Sequence, residues 1–218
     1  MSLPKKYDRR IRRILQLRAV WQPGAAIDLG DIVTLRRGVF VPVDSLADHS
    51  ISFRKKAGQQ TQLSLNAQGV SETLIQGNTE IPDVSDLIPS LKAKLEIVFK
   101  RSNTYHLRTP KLKATSIDDL RKVGQKAAES EDWNFQRNYI VWKVLTAEEF
   151  SFLGSLQRNR KIVFSGSGKA IVKLLTTGIS AGVTRTSSRK LDLEIRGKGG
   201  PVVMGVTRIR RDGELRDV

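Results

Sequence analysis

The chain has 218 residues, a mass of 24.4 kDa, and 38 Lys and Arg against 22 Asp and Glu, a formal charge of +16. With 39% apolar residues, 17 Gly and 7 Pro it is long enough for one well-buried core and is neither low-complexity nor collagen-like. It has no cysteine and only two histidines, His49 and His106, which excludes disulfide scaffolds, thiolate metal sites and cysteine nucleophiles and leaves little imidazole for catalysis.

No apolar run approaches the ~18 residues of a spanning helix. The start, Met1-Ser-Leu-Pro-Lys-Lys, leads into charge, so no secretory signal and a cytoplasmic location are expected. Positive charge of this size concerns partners rather than fold: nucleic acid, acidic protein or anionic lipid. It is clustered. Residues 5–18 carry Lys5, Lys6, Arg9, Arg10, Arg12, Arg13 and Arg18 against Asp8, and residues 91–113 carry seven cations against Glu96.

In chain order, residues 5–20 read as a helix. Tyr7, Ile11, Ile14, Leu15 and Arg18 recur at helical spacing, Arg9, Arg10, Arg12 and Arg13 lie opposite, and Pro23-Gly24 closes the segment. The pattern then becomes period two. Asp31–Arg36 and Val39–Val43 flank Arg37-Gly38 as a hairpin, and Ile51–Lys56 and Thr61–Leu65 flank residues 57–60 as another. Residues 66–90 read as irregular, with one helical turn near Ser85–Ile88.

Lys92–Lys100 alternates, with Ala93, Leu95, Ile97 and Phe99 on one face. Tyr105–Thr109 is its expected partner. Ser116–Glu129 reads as a helix opened by Ser116 and Asp119 as a capping box. Tyr139–Leu153 is too apolar over Tyr139–Val144 for a solvated face, which places it centrally. Arg160–Ser165 is its expected hairpin partner, across a turn at Gly154. Ala170–Leu175 fits a short helix or a strand. Lys190–Arg196 and Val202–Ile209 flank a turn at 197–201, and residues 210–218 are an expected frayed tail. The sum is one α+β domain over 1–218: a twisted, mainly antiparallel sheet, a basic helix within 1–22, and one or two further helices.

Ser165-Gly-Ser-Gly-Lys169-Ala170 suggests a phosphate loop but lacks the first Gly, at Val163, and the Ser or Thr, at Ala170; a strand-end turn is the better account. Gly178–Gly182 matches a helix-packing motif by letter only. His49, His106, Asp118-Asp119 and Glu148-Glu149 assemble no acid–base pair, so no enzyme, no cofactor and no metal site is expected. Trp21, Trp133, Trp142, Tyr105 and Phe99 offer base-stacking rings, but they sit at core-like positions and no nucleic-acid-binding signature accompanies them.

Three segments in this order carry a resemblance: Arg9-Arg10-Ile11-Arg12-Arg13-Ile14-Leu15, then Phe40-Val41-Pro42-Val43-Asp44-Ser45-Leu46, then, after a helix, Tyr139-Ile140-Val141-Trp142-Lys143-Val144-Leu145. The series resembles the pore-forming domain of gasdermins, as a single-domain relative of the kind seen in fungi and microbes. The resemblance implies a protein that binds anionic membranes, forms a homo-oligomer there, and inserts β-hairpins to permeabilise the membrane in cell death or defence. It implies lipid binding by Lys5, Lys6, Arg9, Arg10, Arg12 and Arg13, and membrane-inserting strands carrying Leu95, Ile97, Phe99, Tyr139, Val141 and Val144. It also implies control by an inhibitory or activating protein partner. The sequence departs from bacterial members in lacking the lipidated N-terminal cysteine. The reading from another class is a basic, non-enzymatic α+β module for nucleic acid or an acidic protein.

Overall fold

The structure, a computed structural model, describes residues 1–131, 133–177, 181–187 and 192–217. Three α-helices are present among them: α1 (Leu3–Leu15), α2 (Leu120–Ala128) and α3 (Gly168–Thr177), with a 3-10 turn at Val84–Asp86. The strands, in chain order, are β1 (Arg18–Ala19), β2 (Asp31–Arg36), β3 (Val39–Ser45), β4 (Lys55–Asn66), β5 (Val70–Gln76), β6 (Thr79–Ile81), β7 (Lys92–Phe99), β8 (Thr104–Ile117), β9 (Tyr139–Ser155), β10 (Arg160–Ser167), β11 (Thr184–Ser187), β12 (Leu193–Ile209) and β13 (Leu215–Asp217). The architecture is α+β, and the sheet pairs with described registers are antiparallel.

The chain divides into two compact units, one of Met1–Lys6, Gln62–Lys111 and Glu148–Lys198, the other of Tyr7–Thr61, Leu112–Ala147 and Gly199–Val218. The first unit holds the five-stranded sheet β11-β10-β7-β5-β6. Its core joins Leu95, Ile97 and Phe99 of β7 to Ile162 and Phe164 of β10, with Ile171 and Leu175 of α3 packed in. The second unit is built on the path β1-β12-β9-β2-β3 of the larger sheet, with β13 beside β12. Alternate residues of its central strands feed two clusters. Val33, Tyr139 and Val141 pack with Phe40 and Met204. Ile32 and Ile140 pack with Val123, Ala127 and Trp133. Both faces of β9 are thus covered here, which is why Tyr139–Val144 reads as a continuous apolar run.

Several expectations need correction. The first helix stops at Leu15, because Gln16 turns into the left-handed region (φ 56) and Arg18 and Ala19 pair with Met204 and Val203 of β12. Ile14, assigned to the inner stripe, is exposed. Residues 51–65 form no hairpin; β4 runs straight through 57–60. A Cβ on Gly58 would lie 2.9 Å from the Ala114 Cβ of β8, so this glycine permits close strand approach rather than a turn. Residues 66–90 are not irregular: β5 and β6 form a hairpin around Gly77 (φ 62), with Leu74 opposite Ile81.

Tyr105–Thr109 lies in β8, whose neighbours are β4 and β9, while β7 pairs with β5 and β10. Helix α2 begins at Leu120. Ser116 still belongs to β8, and the Asp119 carboxylate accepts the Arg54 N–H (3.0 Å) instead of capping the helix. Strand β9 continues past Gly154, and β10 pairs with β7 and β11, not with β9. Residues 170–175 are helical. Lys190 and Leu191 lie outside the described residues, as do residues 178–180 of the Gly178–Gly182 motif. From Leu193, β12 passes without a turn through 197–201, where a Cβ on Gly197 would press on the Phe150 ring. In the tail expected to fray, residues 215–217 pair with β12.

Candidate functional site

Helix α1 divides sharply by face. Leu3, Tyr7 and Ile11, four residues apart, are buried. Tyr7 Oη donates to the Val202 carbonyl (2.9 Å), and its ring stands 6.4 Å from Trp21. Lys5, Arg9, Arg10, Arg12 and Arg13 are exposed, whereas Lys6 is half-buried and donates Nζ to the Ser102 carbonyl (3.0 Å). Of the six cations assigned to lipid, five therefore face water and one is engaged. Arg12 and Arg13 lie in the last turn, where they also complement the helix dipole.

Asp8, the sole acid of α1, faces the other way. It accepts from Arg18 Nη1 (2.7 Å) and from the Ala19 N–H (3.1 Å), fastening the helix to β1. Burial lowers the Arg18 pKa from its ordinary value, and the neighbouring Asp8 charge opposes that shift. The Arg18 guanidinium lies 5.1 Å above the Phe40 ring. This clamp joins residues ten apart, so Arg18, which the helical spacing places in the stripe of α1, instead holds α1 to β1. At the C-terminal end of α1 a groove of about 560 Å³ opens among Arg12, Gln16, Trp142 and Lys143, with Gly205 against the Trp142 indole.

The strand residues assigned to the membrane are all buried. Leu95, Ile97 and Phe99 point into the core of the first unit, and Tyr139, Val141 and Val144 into a cluster of the second. None is a surface in this form. Exposed large apolar side chains lie elsewhere, among them Leu35 and Val43 in the β2–β3 hairpin and Ile88 and Leu91 between the 3-10 turn and β7.

The residues set aside as sites have structural partners. Gly168 and Lys169, at the start of α3, give their N–H groups to the carbonyls of Leu91 (2.7 Å) and Pro89 (3.0 Å), so those donors are not free to cradle a phosphate. His49 Nε2 lies 2.9 Å from Asp44. His106 Nε2 lies 2.9 Å from Glu72, which also accepts from Arg108 Nη1 (2.6 Å). Asp118 pairs with Arg54, and Glu148 with Lys111. Of the five aromatic candidates, Phe99, Tyr105 and Trp133 are buried; only Trp21 and Trp142 are half-buried. Among the described residues no group of three or more acids or histidines is placed to hold a metal ion. No helix is long and apolar enough to cross a membrane, which says nothing of strands.

No protein-family model and no curated protein matches the sequence. Among solved structures, the chain is similar to the gasdermin A3 membrane pore, seen by cryo-electron microscopy, at 11% identity and a TM-score of 0.40, over 100% of this chain and 95% of that one. It is also similar to a bacterial gasdermin from Bradyrhizobium tropiciagri, at 12% identity and a TM-score of 0.42, over 97% of this chain and 90% of that one. These neighbours belong to the family that the three sequence segments resemble.

Proposed function

We propose that this is a gasdermin-like pore-forming protein that binds anionic membranes through α1, assembles with further copies, and inserts β-hairpins to permeabilise the bilayer. In this reading it has no catalytic step and no cofactor, moves from cytoplasm to membrane on activation, and answers to an inhibitory or activating protein partner. The observation that carries the proposal is the face of α1. Arg9, Arg10, Arg12 and Arg13 are exposed, and no acid partners them among the described residues. Each cation near an acidic bilayer contributes about 1 kcal/mol.

Strand length supports the second step. A membrane strand needs ~9–11 residues and must join a closed barrel, because backbone polar groups find no water in lipid. β8 has 14 residues, and β9 and β12 have 17 each. β7, at 8, is shorter, and its crossing would draw in residues beyond its present ends. Its exposed Lys92 and Lys94 would then line the water-filled side, opposite Leu95, Ile97 and Phe99. These apolar residues are core in the present form, so insertion requires refolding.

The test is dye release from liposomes with and without acidic lipid, run beside binding to single- and double-stranded oligonucleotides. The wild type releases dye only from acidic liposomes. Replacing Arg9, Arg10, Arg12 and Arg13 by Glu abolishes sedimentation with them and leaves the melting curve in place, since none of the four is buried. A quadruple variant that sediments like the wild type overturns the role of α1. Oligonucleotide binding without liposome binding overturns the whole reading in favour of the nucleic-acid module.

A further inference from the structure

In the first unit, Ile88–Leu91 is a four-residue turn closed by the Leu91 N–H on the Ile88 carbonyl (3.2 Å). Leu87 before it is buried, yet Ile88 and Leu91 are 52% and 49% exposed. Exposed apolar residues are ordinary when single and free to move. These two are neither. The buried side chain of Gln76 grips Ile88 from both sides, its Nε2 donating to the carbonyl (2.8 Å) and its Oε1 accepting the N–H (2.9 Å). The carbonyls of Pro89 and Leu91 are held by the first N–H groups of α3. Gly168 sits so close that a Cβ there would run into the Ile88 carbonyl.

These bonds use only the backbone of residues 88–91. Polar residues at 88 and 91 would leave every one of them in place, so the fold does not require apolar side chains there. The clamp fixes the backbone from which both half-exposed side chains project. Exposed Lys92 adjoins the turn, and exposed Lys169 gives its N–H to the Pro89 carbonyl; Asp83 and Asp86 precede it.

We infer that the Ile88–Leu91 turn is a second lipid-contact site, separate from α1, at which two rigidly presented apolar side chains enter the interface of an anionic bilayer while the neighbouring lysines meet its headgroups. The inference rests on the membrane reading above. The occupant is a bilayer rather than a protein because of the size of the patch. A specific protein interface needs roughly 800 Å² per partner with a packed centre, far more than two side chains supply. A bilayer interface demands no matching shape and accepts isolated apolar groups beside cations.

The chain has no cysteine, so Ile88→Cys takes a single environment-sensitive NBD label on the 218-residue chain. With phosphatidylcholine vesicles containing phosphatidylserine, the label shifts to the blue and brightens several-fold; with phosphatidylcholine alone it does not. Ile88→Ser combined with Leu91→Ser lowers sedimentation with the acidic vesicles by at least about tenfold, a lower bound for withdrawing two apolar side chains from lipid. Both positions are exposed, so the variant keeps the wild-type melting curve. A label that stays unshifted while the protein sediments, or a double variant that sediments like the wild type, overturns the inference and leaves the α1 reading standing. Failure of the wild type itself to sediment overturns the membrane reading as well.

Discussion

Glu72 lies between two nitrogen partners in the first unit, His106 Nε2 and Arg108 Nη1. Burial alone would raise its pKa, but the paired His106 ring and Arg108 guanidinium outweigh that and hold it below the ordinary 4.5. A carboxylate lowered on folding adds stability that is complete above its unfolded value and disappears as pH falls through its folded value. Glu72→Gln therefore destabilises the protein by about 2 kcal/mol at neutral pH, and the gap to wild type narrows below pH 4.5. Urea unfolding at neutral and acid pH measures both; a gap of constant width would show that the charge of Glu72 is not what matters. Gly168 offers a sharper case, since the atom a Cβ would strike is backbone and cannot swing aside. Gly168→Ala costs about 2 kcal/mol or more, read as a lowered Tm; an unchanged Tm would mean the Ile88–Leu91 turn is not clamped. None of this was legible in the sequence. His106 read as an isolated strand histidine, because its partner lies 34 residues away.

Among the elements, legibility followed the strength of the local signal. The β2–β3 hairpin is legible at Arg37-Gly38, where both residues take positive φ (52 and 84), as a two-residue turn requires. The alternation of β7 and the apolar run of β9 were equally plain, being direct imprints of burial on one face and on two. Three of the departures share a cause, a glycine that reads as punctuation in the sequence. Gly58, Gly154 and Gly197 all sit inside strands, each where a neighbouring side chain leaves no room for a Cβ. β5 carries no strand signal because six of its seven residues are half-buried, which erases alternation. The basic face of α1 was legible from charge and period together, while the Asp8–Arg18 clamp was not, since it depends on β1. Strand pairing was the least legible feature, and it bears on mechanism. β10 pairs with β7 over eight residues, from Arg160 opposite Phe99 to Ser167 opposite Lys92. If β9 and β10 are to form a membrane hairpin, β10 must give up one of its two neighbours, β7 or β11. Lys94 lies opposite Ser165, at a spacing that suits a disulfide. With Lys94→Cys and Ser165→Cys the oxidised protein still binds acidic liposomes but releases no dye, and reductant restores release. Undiminished leakage from the oxidised form would show that β7 and β10 stay together in the pore.

For the whole molecule, a charge of +16 makes attraction to an acidic surface long-ranged but sensitive to salt. Raising ionic strength from about 0.1 M to 1 M shortens the screening length from ~10 Å to ~3 Å. Sedimentation with acidic vesicles falls by at least about tenfold over that range, and neutral vesicles are not bound at either salt. Salt-independent binding would point to apolar contact as the main attraction. The fastening of α1 has a further consequence, for the order in which the chain is made. Arg18 and Ala19 pair with Met204 and Val203, and the Tyr7 hydroxyl rests on the Val202 carbonyl. Helix α1 thus finds its seat only after Val202, Val203 and Met204 have been made. Until then the Tyr7 hydroxyl lacks its carbonyl partner, and a nascent chain stalled before Val202 presents the basic helix without the strand that seats it.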